Sequence, residues 1–292
     1  MTRAGAWIEG MRLRTLPVSL AGVVAATACA KTMGFDIAWG WAAVCLLFAL
    51  LAQIASNFAN EYFDYRDGID STDKRQGPER GVTNGIITPR QMLAATLLTL
   101  GLACAIGLLT IIRGGWWLLP CGVFIALGVL AYSAGPYPLS RHCLGEVAVV
   151  IFYGIVPVTL TFYVLTLTIS LPALLLGISV GLWGAMVILV NNYRDIDADR
   201  AVGKHTLSTR IGPQRSAILY CGLGQLSGLF MWAAFGMSQG LLPLLPMILG
   251  FCGSKPLYFG GLSGKSCTVQ LALTALSLLI TTVLSLLIAL FL

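Results

Sequence analysis

NEYFDYRDGID, residues 60–70, closes a long apolar run with Asn60, Glu61, Asp64, Asp67 and Asp70. NNYRDIDADR, residues 191–200, closes another with Asn191, Asp195, Asp197 and Asp199. Ionisable groups beside a hydrocarbon phase are costly and tend to be functional, so these two stretches bear on the fold and the site together.

Outward from them the chain is greasy. Hydrophobic residues make up 57% of its 292 positions and charged residues 10%, and the mean hydropathy is +0.85. A soluble domain carries roughly 25% charged residues. About 20 apolar residues cross a hydrocarbon core as a helix, and lipid leaves no backbone group unsatisfied. The runs are long and do not alternate, so they predict helices. The expectation is an all-α polytopic membrane protein with one domain over residues 1–292. Nine transmembrane helices are predicted at 16–34, 38–60, 91–112, 115–133, 145–168, 170–191, 216–237, 240–254 and 268–291. The stretch ending ATACAKT has a signal-peptide look after Arg3, Arg12 and Arg14, but it leads into further spans and is read as the first of them.

The positive-inside rule orients this bundle. With the N-terminus inside and the C-terminus outside, every basic residue except Lys31 and Arg113 falls on the inner side. The net charge of +6 and the pI near 9.0 therefore reflect orientation, and no nucleic-acid partner is expected. The eight cysteines form no CxxC pair and read as small buried hydrophobes. Both acidic stretches share the inner face with basic clusters.

Asn60 and Asp64 are one helical turn apart, and Asn191, Asp195 and Asp199 make a stripe at i, i+4, i+8. Carboxylates and carboxamides are hard oxygen donors. Mg²⁺ suits them, and it usually binds through one or two carboxylates plus substrate phosphates. Two facing stripes would hold a diphosphate between metal ions, with Arg75, Arg80, Arg194 and Lys204 balancing the remaining phosphate charge. Either cluster alone would read as a solvated loop; two on one side point to a site. A cation-coupled transporter is the rival class, and it would place acids near mid-helix at broken spans.

Taken together, NEYFDYRDGID and NNYRDIDADRAVGKHTLSTRIG resemble the UbiA superfamily of intramembrane prenyltransferases. In that family's commoner form the first motif places Asn, Asp and Asp at i, i+4, i+8. Here position 68 is Gly and the third acid comes at Asp70, a form similar to the menaquinone-pathway branch that prenylates 1,4-dihydroxy-2-naphthoate. RLRTLPVSLAG at 12–22, RQGPERGVTNGIIT at 75–88, YSAGPYPLSRHCLGE at 132–146 and GKHTLSTRIG at 203–212 resemble other segments of that branch, with Arg14 in place of its usual Lys and Glu61 where the family often has Asp.

The resemblance implies a nine-helix fold with both motifs on cytoplasmic loops, in the bacterial inner membrane. It implies transfer of a polyprenyl group from an all-trans polyprenyl diphosphate, with loss of CO₂ from the naphthoate. Other aromatic acceptors (4-hydroxybenzoate, homogentisate) or phytyl and solanesyl transfer are the nearer alternatives. It assigns Asn60, Asp64, Asp195 and Asp199 to the Mg²⁺–diphosphate site, with Asp70 beside them. Arg80 and Lys204 are expected on the diphosphate, with Arg75 and Arg194 as further candidates. Asp67 and Asp197 fall off the stripes and read as outward or supporting. Tyr132 donates to phosphate, faces the allylic cation with its ring, or anchors the interface. Arg12 and Arg14 bind a substrate carboxylate or set orientation. Glu146 suits a helix start, and His142 and His205 are too isolated to make a metal site.

Overall fold

A computed structural model describes residues 1–70, 77–262 and 264–291. Among them every regular element is helical, and the β pairing is an isolated bridge between His142 and His205. Each predicted apolar segment carries a helix. Six are long and apolar enough to cross a membrane: Trp39–Arg66, Pro89–Gly114, Gly145–Thr166, Leu171–Arg194, Pro213–Phe235 and Gly264–Phe291. Leu16–Thr32 makes a seventh when joined to Arg3–Met11, from which it is bent by 43°.

The remaining two segments, Leu118–Ala131 and Leu244–Tyr258, hold 14 and 15 residues. At 1.5 Å per residue that is about 21–23 Å, short of a hydrocarbon core of about 30 Å. The first is ended by the Gly-Pro turn at 135–136. The second follows a turn at Gly240, whose φ is 55°, and carries Pro256 near its end. By length the described residues therefore give six crossings, or seven with the bent pair.

The first helix, Arg3–Met11, was not expected. Thr2 caps it, accepting from the Gly5 N–H at 3.1 Å, and it stops at Arg12 in the left-handed region (φ 53°). Its Ala6 and Trp7 pack on Phe58, with Trp7 and Phe58 edge to face at 5.7 Å. This bend brings Arg12 and Arg14 over the end of the Trp39–Arg66 helix.

Small residues set the core. Leu16–Thr32 buries Ala21, Ala25, Ala26, Ala28 and Ala30 among its neighbours, which lets helices come close without a hydrophobic driving force between them. The closest approach is backbone on backbone. A Cβ on Gly154 would lie 2.3 Å from the Gly177 carbonyl oxygen and the Gly181 Cα, and one on Gly181 would lie 2.5 Å from the Val150 carbonyl. At this crossing the Gly145–Thr166 helix widens into a π-helical turn over Val150–Ile155. Gly154→Ala should lower the thermal midpoint in detergent by several degrees, since overpacking costs about 1–3 kcal/mol. An unchanged melt would mean that the crossing relaxes freely. Leu97, Leu98, Leu102 and Ile112 stand exposed on Pro89–Gly114, a face suited to lipid.

Candidate active site

The Trp39–Arg66 helix runs past its predicted end at 60, so Asn60 and Asp64 both lie on it, one turn apart and buried. It then closes with Gly68 at φ 71°: the Gly68 N–H donates to the Tyr65 carbonyl (3.1 Å) and the Ile69 N–H to the Asp64 carbonyl (2.9 Å). This is a Schellman stop, and it needs a residue tolerant of the left-handed region. The chain turns back on itself, so the Asp70 amide reaches the Asp64 carbonyl at 3.3 Å and its carboxylate lies 3.2 Å from Arg80 Nε. Glycine at 68 with the acid at 70 thus replaces a third helical turn by a reversal.

The second motif is nearly one stripe. Leu171–Arg194 stops, Asp195 bridges, and a short helix runs over Ile196–Ala201. The Asp195 N–H still donates to Asn191 O (3.3 Å) and the Asp199 N–H to Asp195 O (2.8 Å), so the i, i+4, i+8 spacing survives the break.

The two motifs meet. Asn60, Asp64, Asp70, Asn191, Asp195 and Asp199 line one cavity of about 280 Å³, and Arg12, Arg80, Tyr132, Arg194 and Lys204 line it with them. Within it the acids are partnered by the protein's own cations. Arg80, buried, donates to Asn60 Oδ1 at 3.1 Å and lies 3.4 Å from Asp64. Arg194 sits 2.6 Å from Asp195 and also reaches Asn191 Oδ1 (2.9 Å). Lys204 is 3.3 Å from Asp199. Arg12 donates to Asn60 Oδ1, and Asn60 Nδ2 donates to Ser133 Oγ at 3.1 Å. Arg14 is exposed and pairs with Glu9 at the rim. Arg75 lies outside the described residues.

Some groups support the site from behind. Asp67 takes hydrogen bonds from Arg66 and Arg141, which hold its carboxyl below the usual range. Asp197 points outward, 91% exposed. Glu61 accepts the Val82 N–H at 3.0 Å and so pins the 80–88 loop beside Asp64. His205 acts through its backbone, where its carbonyl accepts the Cys143 N–H at 3.0 Å. Glu146, buried, accepts from Asn192 at 2.9 Å.

Arg141 is the residue that sequence reasoning missed. It counted only toward orientation, yet it lies 3.1 Å from Asp64 and 2.6 Å from Asp67, opposite Arg80. It is 77 residues away in sequence, beyond the reach of any periodicity.

Electrostatics follow from the crowding. Burial disfavours the Arg80 charge, but Asp70, Asp64, Glu61 and Asp195 more than offset this and raise its pKa. Burial pushes Asp199 up to about 6; Asp195 and Asp64 add to the shift and Lys204 opposes it. One oxygen of Asp199, Oδ2, is buried without a hydrogen bond, and a hard cation suits such an oxygen. Among the described residues no three His, Cys, Asp or Glu side chains are grouped to hold a metal unaided. With the Asp64 and Asp195 carboxylates on the same cavity wall, Asp199 adds to a set of hard oxygens of the kind that suits a divalent cation. Were Asp199 to hold a divalent metal it would have to be ionised, and metal-dependent diphosphate binding would then weaken as the pH falls through about 6 and be full above 7. Titration calorimetry at pH 5.5 and 7.5 checks this, and equal affinities would exclude Asp199 from the metal.

A second cavity, of about 360 Å³, adjoins the first. It is walled mainly by apolar side chains of Trp39–Arg66, Pro89–Gly114, Leu118–Ala131 and Gly145–Thr166, and Tyr132 lines both.

The profile of the UbiA prenyltransferase family matches residues 19–259. The chain belongs to that family. It is 36% identical over 223 residues to the 1,4-dihydroxy-2-naphthoate octaprenyltransferase of Mycobacterium tuberculosis (strain ATCC 25618 / H37Rv), covering 76% of this chain and 75% of the relative. It is 37% identical over 220 residues to the protein of that name from Escherichia coli (strain K12), covering 73% and 70%. Among solved structures, a UbiA homolog from Archaeoglobus fulgidus bound to DMAPP and Mg2+ superposes with a TM-score of 0.65 at 15% identity, over 97% of this chain and 100% of that one. At that identity the likeness establishes the UbiA fold alone; the family match and the six candidate spans point to a multi-pass membrane protein.

Proposed function

We propose that this UbiA-family enzyme transfers a polyprenyl group from an all-trans polyprenyl diphosphate to 1,4-dihydroxy-2-naphthoate, releasing diphosphate and CO₂. The observation that carries the reading is the meeting of both Asn/Asp motifs in one cation-lined cavity that shares Tyr132 with an apolar one. The relatives from M. tuberculosis and E. coli are named 1,4-dihydroxy-2-naphthoate octaprenyltransferases, and the A. fulgidus neighbour was solved with DMAPP and Mg2+.

Asn60, Asp64, Asp70, Asp195 and Asp199 are the oxygens that would hold Mg²⁺. When bound, the ion neutralises the diphosphate as it departs. The chain's own groups do the rest. Arg80, Lys204 and Arg194 turn from their carboxylates to phosphate oxygens, and Arg141 keeps Asp64 in place. The C–O bond to diphosphate breaks, and the ring carbon bearing the carboxylate supplies the electron pair for the new C–C bond. That carbon then loses CO₂, and its bonding pair returns to the ring, so the products are prenylated dihydroxynaphthalene, CO₂ and diphosphate. The apolar cavity takes the prenyl chain and keeps water from the allylic cation. Arg12 is placed to meet the acceptor carboxylate.

The topology belongs to the same reading: nine crossings with the N-terminus inside, the short helices included, and the site at the cytoplasmic face of a bacterial inner membrane. Basic residues gathered around both motifs support it.

Purified protein in detergent, offered the naphthoate and a series of all-trans donors with Mg²⁺ or EDTA, tests the proposal. The expected product needs Mg²⁺ and is lighter by CO₂ than a simple adduct. Transfer to 4-hydroxybenzoate alone would overturn the acceptor, and transfer to no acceptor by folded protein would overturn the function.

A further inference from the structure

One wall of the apolar cavity is polar. Gln53 and Ser56 line it from Trp39–Arg66, one to two turns along from Asn60, and the Tyr153 hydroxyl, on the π-helical turn of Gly145–Thr166, is hydrogen-bonded with both. The Gln53 carboxamide is fixed: Ser19 Oγ donates to its Oε1 at 2.7 Å and its Nε2 donates to Asn57 Oδ1 at 3.2 Å. Asn57 is held in turn by the Met11 carbonyl at 2.8 Å. A buried polar group costs free energy unless it is bonded, and so deep in a span it asks for a use. Packing does not ask for it, since the same helix offers Phe48, Ala49 and Ala52 to the cavity.

The backbone points the same way. π-helical turns recur at functional sites, and this one lies where Gly154 crosses Gly177 and Gly181 on bare backbone. It sets Tyr153 opposite Gln53. Beyond its bonds to Ser19, Asn57 and Tyr153 the carboxamide keeps one position for a further hydrogen bond, and the Tyr153 phenol, bonded to Gln53 and Ser56, keeps one more, since a phenol both gives and accepts. Along the helix Ser56 is about 6 Å and Gln53 about 10 Å from Asn60. A ring whose reacting carbon meets a prenyl carbon held beside Asn60 and Asp64 can turn toward this cluster the substituent meta to that carbon.

We infer that Gln53 and Tyr153 bind the ring hydroxyl remote from the reacting carbon, the 4-hydroxyl of 1,4-dihydroxy-2-naphthoate, and so select a dihydroxylated acceptor. They are positioning residues, and the inference rests on the acceptor class proposed above. A site built to bond a hydroxyl rejects an analogue lacking it, because its own polar groups are then left unpaired.

The test compares 1,4-dihydroxy-2-naphthoate with 1-hydroxy-2-naphthoate in wild type, Tyr153→Phe and Gln53→Leu, as substrates, or as competitive inhibitors where turnover is too slow to follow. In both variants the preference for the dihydroxy acceptor should fall about tenfold. The change should come through its KM, with the donor KM and the behaviour of the monohydroxy compound unchanged. A preference that stays the same, whether activity is kept or lost equally on both compounds, overturns the inference and leaves the proposed function standing. Wild-type protein that uses no naphthoate overturns both. Tyr153→Phe removes one oxygen, so a variant that no longer folds would mean that Tyr153 is structural and would also overturn it.

Discussion

Asp64→Asn should reduce prenyl transfer by at least about 10²–10³-fold while the protein still inserts and purifies as a single species. The substitution keeps shape and removes one charge. Asp64 stands between two guanidinium groups, Arg80 at 3.4 Å and Arg141 at 3.1 Å, and one turn from Asn60 on the wall of the shared cavity. Its charge also adds to the upward shift of Asp199 in the second motif. Groups aimed at charge that develops in the transition state are worth roughly 10²–10³ each in rate. The loss should fall on turnover at saturating donor and naphthoate, measured by product mass. Melting in detergent separates this from misfolding: the amide can accept from only one of the two arginines, but Arg80 keeps Asn60 and Arg141 keeps Asp67. Turnover within a factor of a few of wild type would remove Asp64 from the chemistry and with it the metal–diphosphate site.

Much of this was legible in sequence, and the limits have physical causes. Apolar runs report helices because lipid enforces internal hydrogen bonding, so all of the long segments were found. Crossing by length alone was not legible for Leu118–Ala131 and Leu244–Tyr258, where turns at glycine and proline trim the helices below a full span. Spacing found Asn60 with Asp64, and Asn191 with Asp195 and Asp199, since i, i+4 neighbours stay neighbours even across the break at Asp195. Gly68 stood out as a departure, but only its φ of 71° shows that it reverses the chain to bring Asp70 to Arg80. Arg141 was invisible as a partner because its contact with Asp64 joins the end of one helix to a segment 77 residues away. The polar set Gln53, Ser56, Asn57 and Asn60 has helical spacing and was there to be seen inside an apolar run. Its meaning needed Tyr153, which another helix supplies.

Arg80→Gln should split the two ligands of the site in opposite directions. Arg80 reaches Asn60, Asp64 and Asp70 at once and is buried, so in the ligand-free protein it neutralises the first motif. Removing one partner of a buried ion pair costs about 3–5 kcal/mol, so the variant should melt lower. Its charge also opposes a metal at the same carboxylates. With glutamine in its place, Mg²⁺ alone should bind about tenfold more tightly, because a unit positive charge a few ångströms away has gone. The prenyl diphosphate should bind about 10–100-fold more weakly, because a charge-assisted hydrogen bond to phosphate is worth about 1.5–3 kcal/mol. Arg80→Lys separates charge from geometry: Mg²⁺ affinity should return to the wild-type value, while the donor recovers only in part, since an ammonium cannot make the paired contact of a guanidinium. Calorimetry with Mg²⁺ alone, then with diphosphate added, reads both effects on the same protein. If Mg²⁺ and donor affinity fall together in Arg80→Gln, Arg80 acts only as a structural strut. If neither changes, the buried arginine lies outside the diphosphate site.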